Sequence, residues 1–205
     1  MDKGATESDP EWIAALRARD RAAFTQLVER YHAGMMSLAR SLVGDAAADV
    51  VQDSWISAFR ALPDFRGHSS LKTWLLRITA NRAISHLRSR GVAAGESAPD
   101  GAPLDQRFDE SGRWGQPPFP WSLDTPDALL ASAELRETIA RTVDALPPLQ
   151  RSVLRLREAE GLDRDEICKI LDISTSNLHV LLHRARVRLW RAIEAYQRSG
   201  DDAQV

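Results

Sequence analysis

The chain has 205 residues, room for one mid-sized domain or two small ones at roughly 150 residues per domain, and too few for a large catalytic architecture. Apolar residues make up 43% and charged residues 27%, ordinary for a globular protein and incompatible with wholesale disorder. A single cysteine, Cys168, excludes an internal disulfide and any cysteine-based zinc cage, and the formal net charge of −2 is far from that of a strongly basic nucleic-acid binder.

The start of the chain, from Met1 to Trp12, is polar and acidic with no apolar leader core. No apolar stretch approaches the roughly 20 residues of a bilayer span, so a cytoplasmic location is expected. Apolar residues then recur at three and four, the spacing of one helix face. Phe24, Leu27, Val28, Tyr31, Met35, Leu38, Ala39 and Leu42 form a first stripe; Val51, Trp55, Ala58, Phe59 and Leu62 form a second that stops at Pro63. The run Phe65-Arg66-Gly67-His68-Ser69-Ser70 reads as a turn with a serine cap. It leads into a third stripe, Leu71, Trp74, Leu75 and Ile78, on a helix whose Arg77, Asn81 and Arg88 share a face beside Arg82 and His86. A partly aromatic loop next to a basic helical face suits single-stranded nucleic acid, which needs stacking, amide contacts and phosphate neutralisation.

From Gly91 to about Asp127 the periodicity disappears, and Pro117, Pro118, Pro120 and Pro126 forbid a continuous helix. Charge changes sign there: residues 91–135 carry −6 between +3 for residues 1–90 and +1 for residues 136–205. The segment reads as a flexible acidic linker holding Trp114, Phe119 and Trp121; it is either a plain tether or a strand that orders on a partner. Beyond it, Leu135, Ile139, Val143 and Leu146 mark a helix stopped by Pro147 and Pro148, and Leu149, Val153 and Leu156 mark another broken at Gly161. Asp163, three residues before Glu166, predicts a capping box for a short helix through Ile167, Ile170 and Leu171. After the turn Asp172-Ile173-Ser174, Ser174 or Thr175 caps a last helix with Leu178, Leu182, Ala185, Leu189 and Ile193 inward. Helix, short turn, longer helix is the helix-turn-helix pattern, and equally that of an αα-hairpin used only for packing. The outward side of the last helix holds Val180, His183, Arg184, Val187 and Arg191, and Arg184, Arg186, Arg188 and Arg191 suit phosphate contact. His179 and His183 lack a third ligand nearby, so no metal is expected.

These motifs, in this order, resemble the extracytoplasmic-function sigma factors, the two-domain initiation subunits of bacterial RNA polymerase. The resemblance runs over residues 11–90 and 127–195. It rests on Asp49-Val50-Val51-Gln52-Asp53-Ser54-Trp55-Ile56-Ser57-Ala58-Phe59, on Phe65-Arg66-Gly67 with Thr73-Trp74-Leu75 and Asn81, on Ala145-Leu146-Pro147-Pro148, and on His183-Arg184-Ala185-Arg186. It implies an all-α chain: a sigma-2-like bundle over 1–90, the linker over 91–127, and a sigma-4-like helix-turn-helix domain over 128–205. It implies that Asp49, Gln52, Asp53, Trp55 and Phe59 bind core polymerase. Phe65, Arg66, His68, Arg77, Asn81, Arg82 and Arg88 would bind the −10 element, with Phe65 and Asn81 flanking a flipped base whose unstacking costs a few kcal/mol. Ser176, Asn177, His179, Val180, His183, Arg184, Arg186 and Arg188 would bind the −35 element.

Two departures from the family pattern bear on specificity. Val180 and Leu181 stand where polar or basic residues are common, which points to a thymine methyl, to DNA shape or to a protein partner. His68 stands where an acid is frequent. The resemblance further implies no cofactor, no catalysis by the chain itself and no small-molecule substrate; the partners are core polymerase, promoter DNA and an anti-sigma factor, in this family often membrane-anchored, which would hold the protein at the inner membrane. The alternatives are a stand-alone helix-turn-helix regulator and a sigma-mimicking adaptor that binds an anti-sigma factor.

Overall fold

The computed structural model describes residues 10–91 and 133–201, and within them every regular element is helical. In the first segment α1 is Pro10–Arg17, α2 Arg21–Val43, α3 Ala47–Ala61 and α4 Leu71–Ser89, with single 3-10 turns at Gly44–Ala46 and Leu62–Asp64. In the second, α5 is Ala133–Asp144, α6 Pro148–Glu158, α7 Arg164–Leu171 and α8 Thr175–Asp201. The all-α expectation and the position of each stripe agree with this. Helix α1 carries no long stripe and went unread in the sequence; it is held by Trp12 and Leu16, both buried.

Local chemistry fixes the helix ends. Asp20 caps α2 by accepting from the Ala23 N–H at 2.8 Å. Ser70, rather than Ser69, caps α4 through the Thr73 N–H. The Asp163–Glu166 capping box opens α7 in both directions, with Glu166 N–H donating to Asp163 and Asp163 N–H donating to Glu166. Ser174 accepts from the Asn177 N–H at the start of α8. Asp172, the last residue of α7's turn, sits at φ 54°, the left-handed cap that lets α8 leave α7 at an angle.

The first four helices wrap around α2 and α4, and Leu27, Met35, Leu38, Leu42, Leu71 and Leu75 are almost fully buried between them. In the second segment α8 runs along α5, α6 and α7. The two segments are not separate globules on a tether. Helix α2 packs against α6 and α4 packs against α7, so that Val153, Leu156, Ile167, Ile170 and Leu178 belong to the same continuous apolar cluster as the α2–α4 residues. A smaller cluster of Leu146, Leu154 and Ala185 closes the far side of α5, α6 and α8. The linker aromatics Trp114, Phe119 and Trp121 lie outside the described residues.

Leu156 sits in the shared cluster with 1% of its surface exposed. Leu156→Ala removes its methyl groups and leaves a cavity, and is expected to cost about 2–5 kcal/mol. The measurement is urea unfolding: a lower midpoint at unchanged slope is the expected result.

Candidate protein- and nucleic-acid-binding faces

Helix α3 buries Ala47, Val50, Val51, Ser54 and Ala58. The residues three and four apart on its other side are therefore forced outward. Asp49, Gln52 and Asp53 are exposed, and Ile56 and Phe59 follow on the same side with 43% and 37% of their surface open. Trp55 is only half-buried, and its indole N–H donates to Nδ1 of His32 at 3.2 Å. Phe24 meets both Trp55 and Phe59 edge-on, with ring centres 5.8 and 5.1 Å away. The Arg19 guanidinium stands 5.3 Å from the Phe59 ring centre, a cation–π contact that fixes the ring. The result is an acidic rim beside a rigid aromatic ledge. The sequence missed Ile56 although its spacing from Gln52 and Asp53 carries the signal.

On α4, Arg77, Asn81 and Arg88 are exposed at helical spacing, as expected. Arg82 is exposed too, but its guanidinium donates to Ser57 Oγ at 2.7 Å and so braces α4 against α3. In the preceding loop Arg66, Gly67 and His68 are exposed. Gly67 has φ +73°, a left-handed conformation that a side chain would strain.

Phe65 corrects the expectation of a free stacking ring. It is 7% exposed and packs on Trp74 with ring centres 5.1 Å apart. The 3-10 turn at Leu62–Asp64 returns the Phe65 N–H to Leu62 O and sends the side chain inward, while Arg17 Nε donates to the Phe65 carbonyl at 3.0 Å. Half-buried Trp74 stands at helical spacing from Arg77 and Asn81, and Phe65 packs beneath it.

At the start of α8, Ser176, Asn177 and Val180 are exposed, Val180 by 38%. Leu181 is not: at 4% exposure it joins Leu178, Leu182 and Ala185 inside, because a residue three positions from Leu178 returns to nearly the same side of the helix. His179 is half-buried with Nε2 enclosed and unpartnered. His183 and Arg184 are half-buried. Two of the arginines expected at phosphates are engaged within the fold: Arg186 pairs with Glu158 at 3.3 Å, and Arg188 donates to the buried Gln150 Oε1 at 2.9 Å. The exposed part of this face is thus its N-terminal two turns together with Arg191 farther along.

Among the described residues no group of three or more histidine, cysteine or acidic side chains is arranged to hold a metal ion, and no helix is long and apolar enough to cross a membrane. The Sigma-70 region 2 family matches residues 27–92 and the Sigma-70 region 4 family residues 136–189. The former range contains the α3 and α4 faces, the latter the helix-turn-helix. The ECF RNA polymerase sigma-E factor of Salmonella typhimurium is 35% identical over 181 residues, 87% of this chain and 91% of that one. The RNA polymerase sigma-H factor of Pseudomonas aeruginosa is 32% identical, covering 92% of this chain and 95% of that one. Among solved structures, the sigma factor RpoE of Bartonella quintana, in complex with the anti-sigma factor NepR, matches at 26% identity with a TM-score of 0.55, covering 83% of this chain and 96% of that one. With both sigma regions in order and identity above 30% across almost the whole length of its relatives, the chain belongs to the extracytoplasmic-function sigma factors of bacterial RNA polymerase.

Proposed function

We propose that this sigma factor meets core polymerase through the α3 ledge of Asp49, Gln52, Asp53, Ile56 and Phe59. It contacts the −10 element with Arg77, Asn81 and Arg88 beside the Arg66–His68 loop, and the −35 element with Ser176, Asn177 and Val180 backed by Arg184. One observation carries the reading. Among the described residues the exposed large apolar side chains are Ile56, Phe59 and Val180, and they fall on two of these three faces. Apolar surface left open on a well-packed chain marks an interaction site. On this reading Trp55 and Phe65 are positioning residues, the first anchoring the ledge and the second seating Trp74 under the α4 face.

The chain supplies recognition and promoter opening, and the phosphodiester chemistry belongs to the polymerase. It acts in the cytoplasm on the nucleoid. The Bartonella relative was captured with an anti-sigma factor, and an inhibitor of that kind, gripping both halves of this chain, is its proposed restraint.

Asp53→Lys reverses an exposed charge without touching the core and should weaken binding to core polymerase at least tenfold, because rim charges act through interfacial electrostatics. Fluorescence titration with purified core enzyme reads this; an unchanged Kd removes α3 from the interface. Asn81→Ala should slow promoter opening, seen as weaker permanganate reactivity of the −10 thymines, with partial rescue on a pre-melted bubble and unchanged thermal stability. One lost base contact is worth about 1–3 kcal/mol. Phe65→Ala should instead lower stability, by about 3–5 kcal/mol for a buried aromatic, and the bubble should not rescue it. Equal rescue of both variants would return Phe65 to direct base contact.

A further inference from the structure

The turn between α1 and α2 holds a side chain that folding alone does not account for. Arg19 has φ 59°, the left-handed conformation in which a Cβ crowds the following carbonyl oxygen and which glycine adopts freely. The backbone around it forms a Schellman closure of α1. The Arg19 N–H returns to the Leu16 carbonyl at 3.0 Å and the Asp20 N–H to the Ala15 carbonyl at 2.9 Å, which puts Arg19 at the position that usually holds glycine. Both flanks are fixed. On one side Asp20 caps α2; on the other, buried Trp12 and Leu16 and the Arg17 bond to the Phe65 carbonyl hold α1 against the Leu62–Asp64 turn. The left-handed backbone is thereby imposed on whichever residue stands at 19, the circumstance in which local strain persists.

What the arginine adds lies at the far end of its side chain. The guanidinium is 5.3 Å from the Phe59 ring centre, and Phe24 meets the same ring edge-on with centres 5.1 Å apart. Phe59 is thus held between α2 and the α1–α2 turn while 37% of its surface stays open. Arg19 is itself exposed. In water a cation–π contact contributes no more than a non-glycine residue in the left-handed region costs. Stability therefore gives no reason for arginine over glycine at this position. Recognition does: exposed aromatics carry much of the energy of protein interfaces, and a ring ordered before contact does not have to be ordered during it.

We propose that Arg19 is a positioning residue of the polymerase-binding surface. From a strained turn it holds the Phe59 ring in the orientation that core polymerase meets, and the chain gives up some stability for a preorganised contact. The inference deepens the α3 reading above and rests on it. It carries the polymerase-facing surface from Asp49 and Asp53, over Ile56 and Phe59, to the α1–α2 turn, so that the ledge is acidic toward the start of α3 and cationic toward its end.

The test is Arg19→Gly in the full-length protein, which keeps the turn and removes the guanidinium. The thermal midpoint should stay level or rise, because glycine relieves the left-handed strain. Fluorescence titration with purified core polymerase should nevertheless show Kd weakened about threefold or more, the size of one exposed cation–π contact. In a Phe59→Ala background the same substitution should change Kd no further, because nothing is left to position. Asp53→Lys is the control for the α3 reading. Weakened binding by Asp53→Lys with full binding by Arg19→Gly would overturn the role of Arg19 and leave the ledge standing. Unchanged Kd in Asp53→Lys, Phe59→Ala and Arg19→Gly alike would overturn the ledge itself. A lowered midpoint in Arg19→Gly would assign the arginine to the fold, and an equal loss of binding with and without the Phe59 ring would make it a direct polymerase contact; either result overturns the proposal.

Discussion

Helices α2 and α6 approach closely enough for two serine hydroxyls to touch, and much of the rest of the molecule is arranged around that approach. Ser41 and Ser152 hold two protons between them for three contacts: the Leu38 carbonyl, the Pro148 carbonyl and each other. At any moment one of these three contacts is therefore without a proton. Larger side chains would push the helices apart and break the continuity of the apolar cluster that runs from Leu38 to Leu156. Arg151 completes the junction by taking the Ser41 carbonyl, one of the last four acceptors of α2, which has no partner within its own helix.

Around this junction the chain separates buried packing residues from exposed polar ones by helix face. Helix α3 gives its small and β-branched residues to the core and keeps Asp49, Gln52, Asp53 and Ile56 outside. Helix α4 does the same with Leu75, Leu76 and Ala83 against Arg77 and Asn81. Helix α8 departs from this division along its length. Its first two turns are open, whereas farther on Arg186 and Arg188 turn back to Glu158 and Gln150. Basic charge in the middle of α8 therefore serves the fold first, which a count of arginines does not disclose.

Much of the fold was legible in the sequence because its signals are local. Periodic stripes, the Asp163–Glu166 capping box, the breaks at Pro63, Pro147 and Gly161 and the short turn before α8 each act within a few residues, and each stands where the spacing put it. Family resemblance added the order of the two sigma regions. What escaped was the non-local part. Phe65 reads as a loop aromatic, and only the return of the chain over Trp74 buries it. Leu181 reads as the neighbour of exposed Val180, and its burial follows from counting back three residues to Leu178. The contacts between the two halves escaped altogether: Ser37, Ser41, Thr73 and Ser152 carry no hydrophobic signal, and their partners lie 93 or more residues away in sequence.

The Thr73–Glu166 contact has a consequence for how such chains diversify. Thr73 belongs to the N-terminal cap of α4 and Glu166 to the capping box of α7, so one hydrogen bond ties together the starts of two helices in different halves. Exchanging one half for that of a relative would keep both caps, which are made within each half, but would remove the side-chain contact that ties the two helix starts together. Shuffling of promoter specificities among these factors is then constrained less by the DNA-facing side chains, which can change singly, than by the few residues joining the halves, which have to travel as a set.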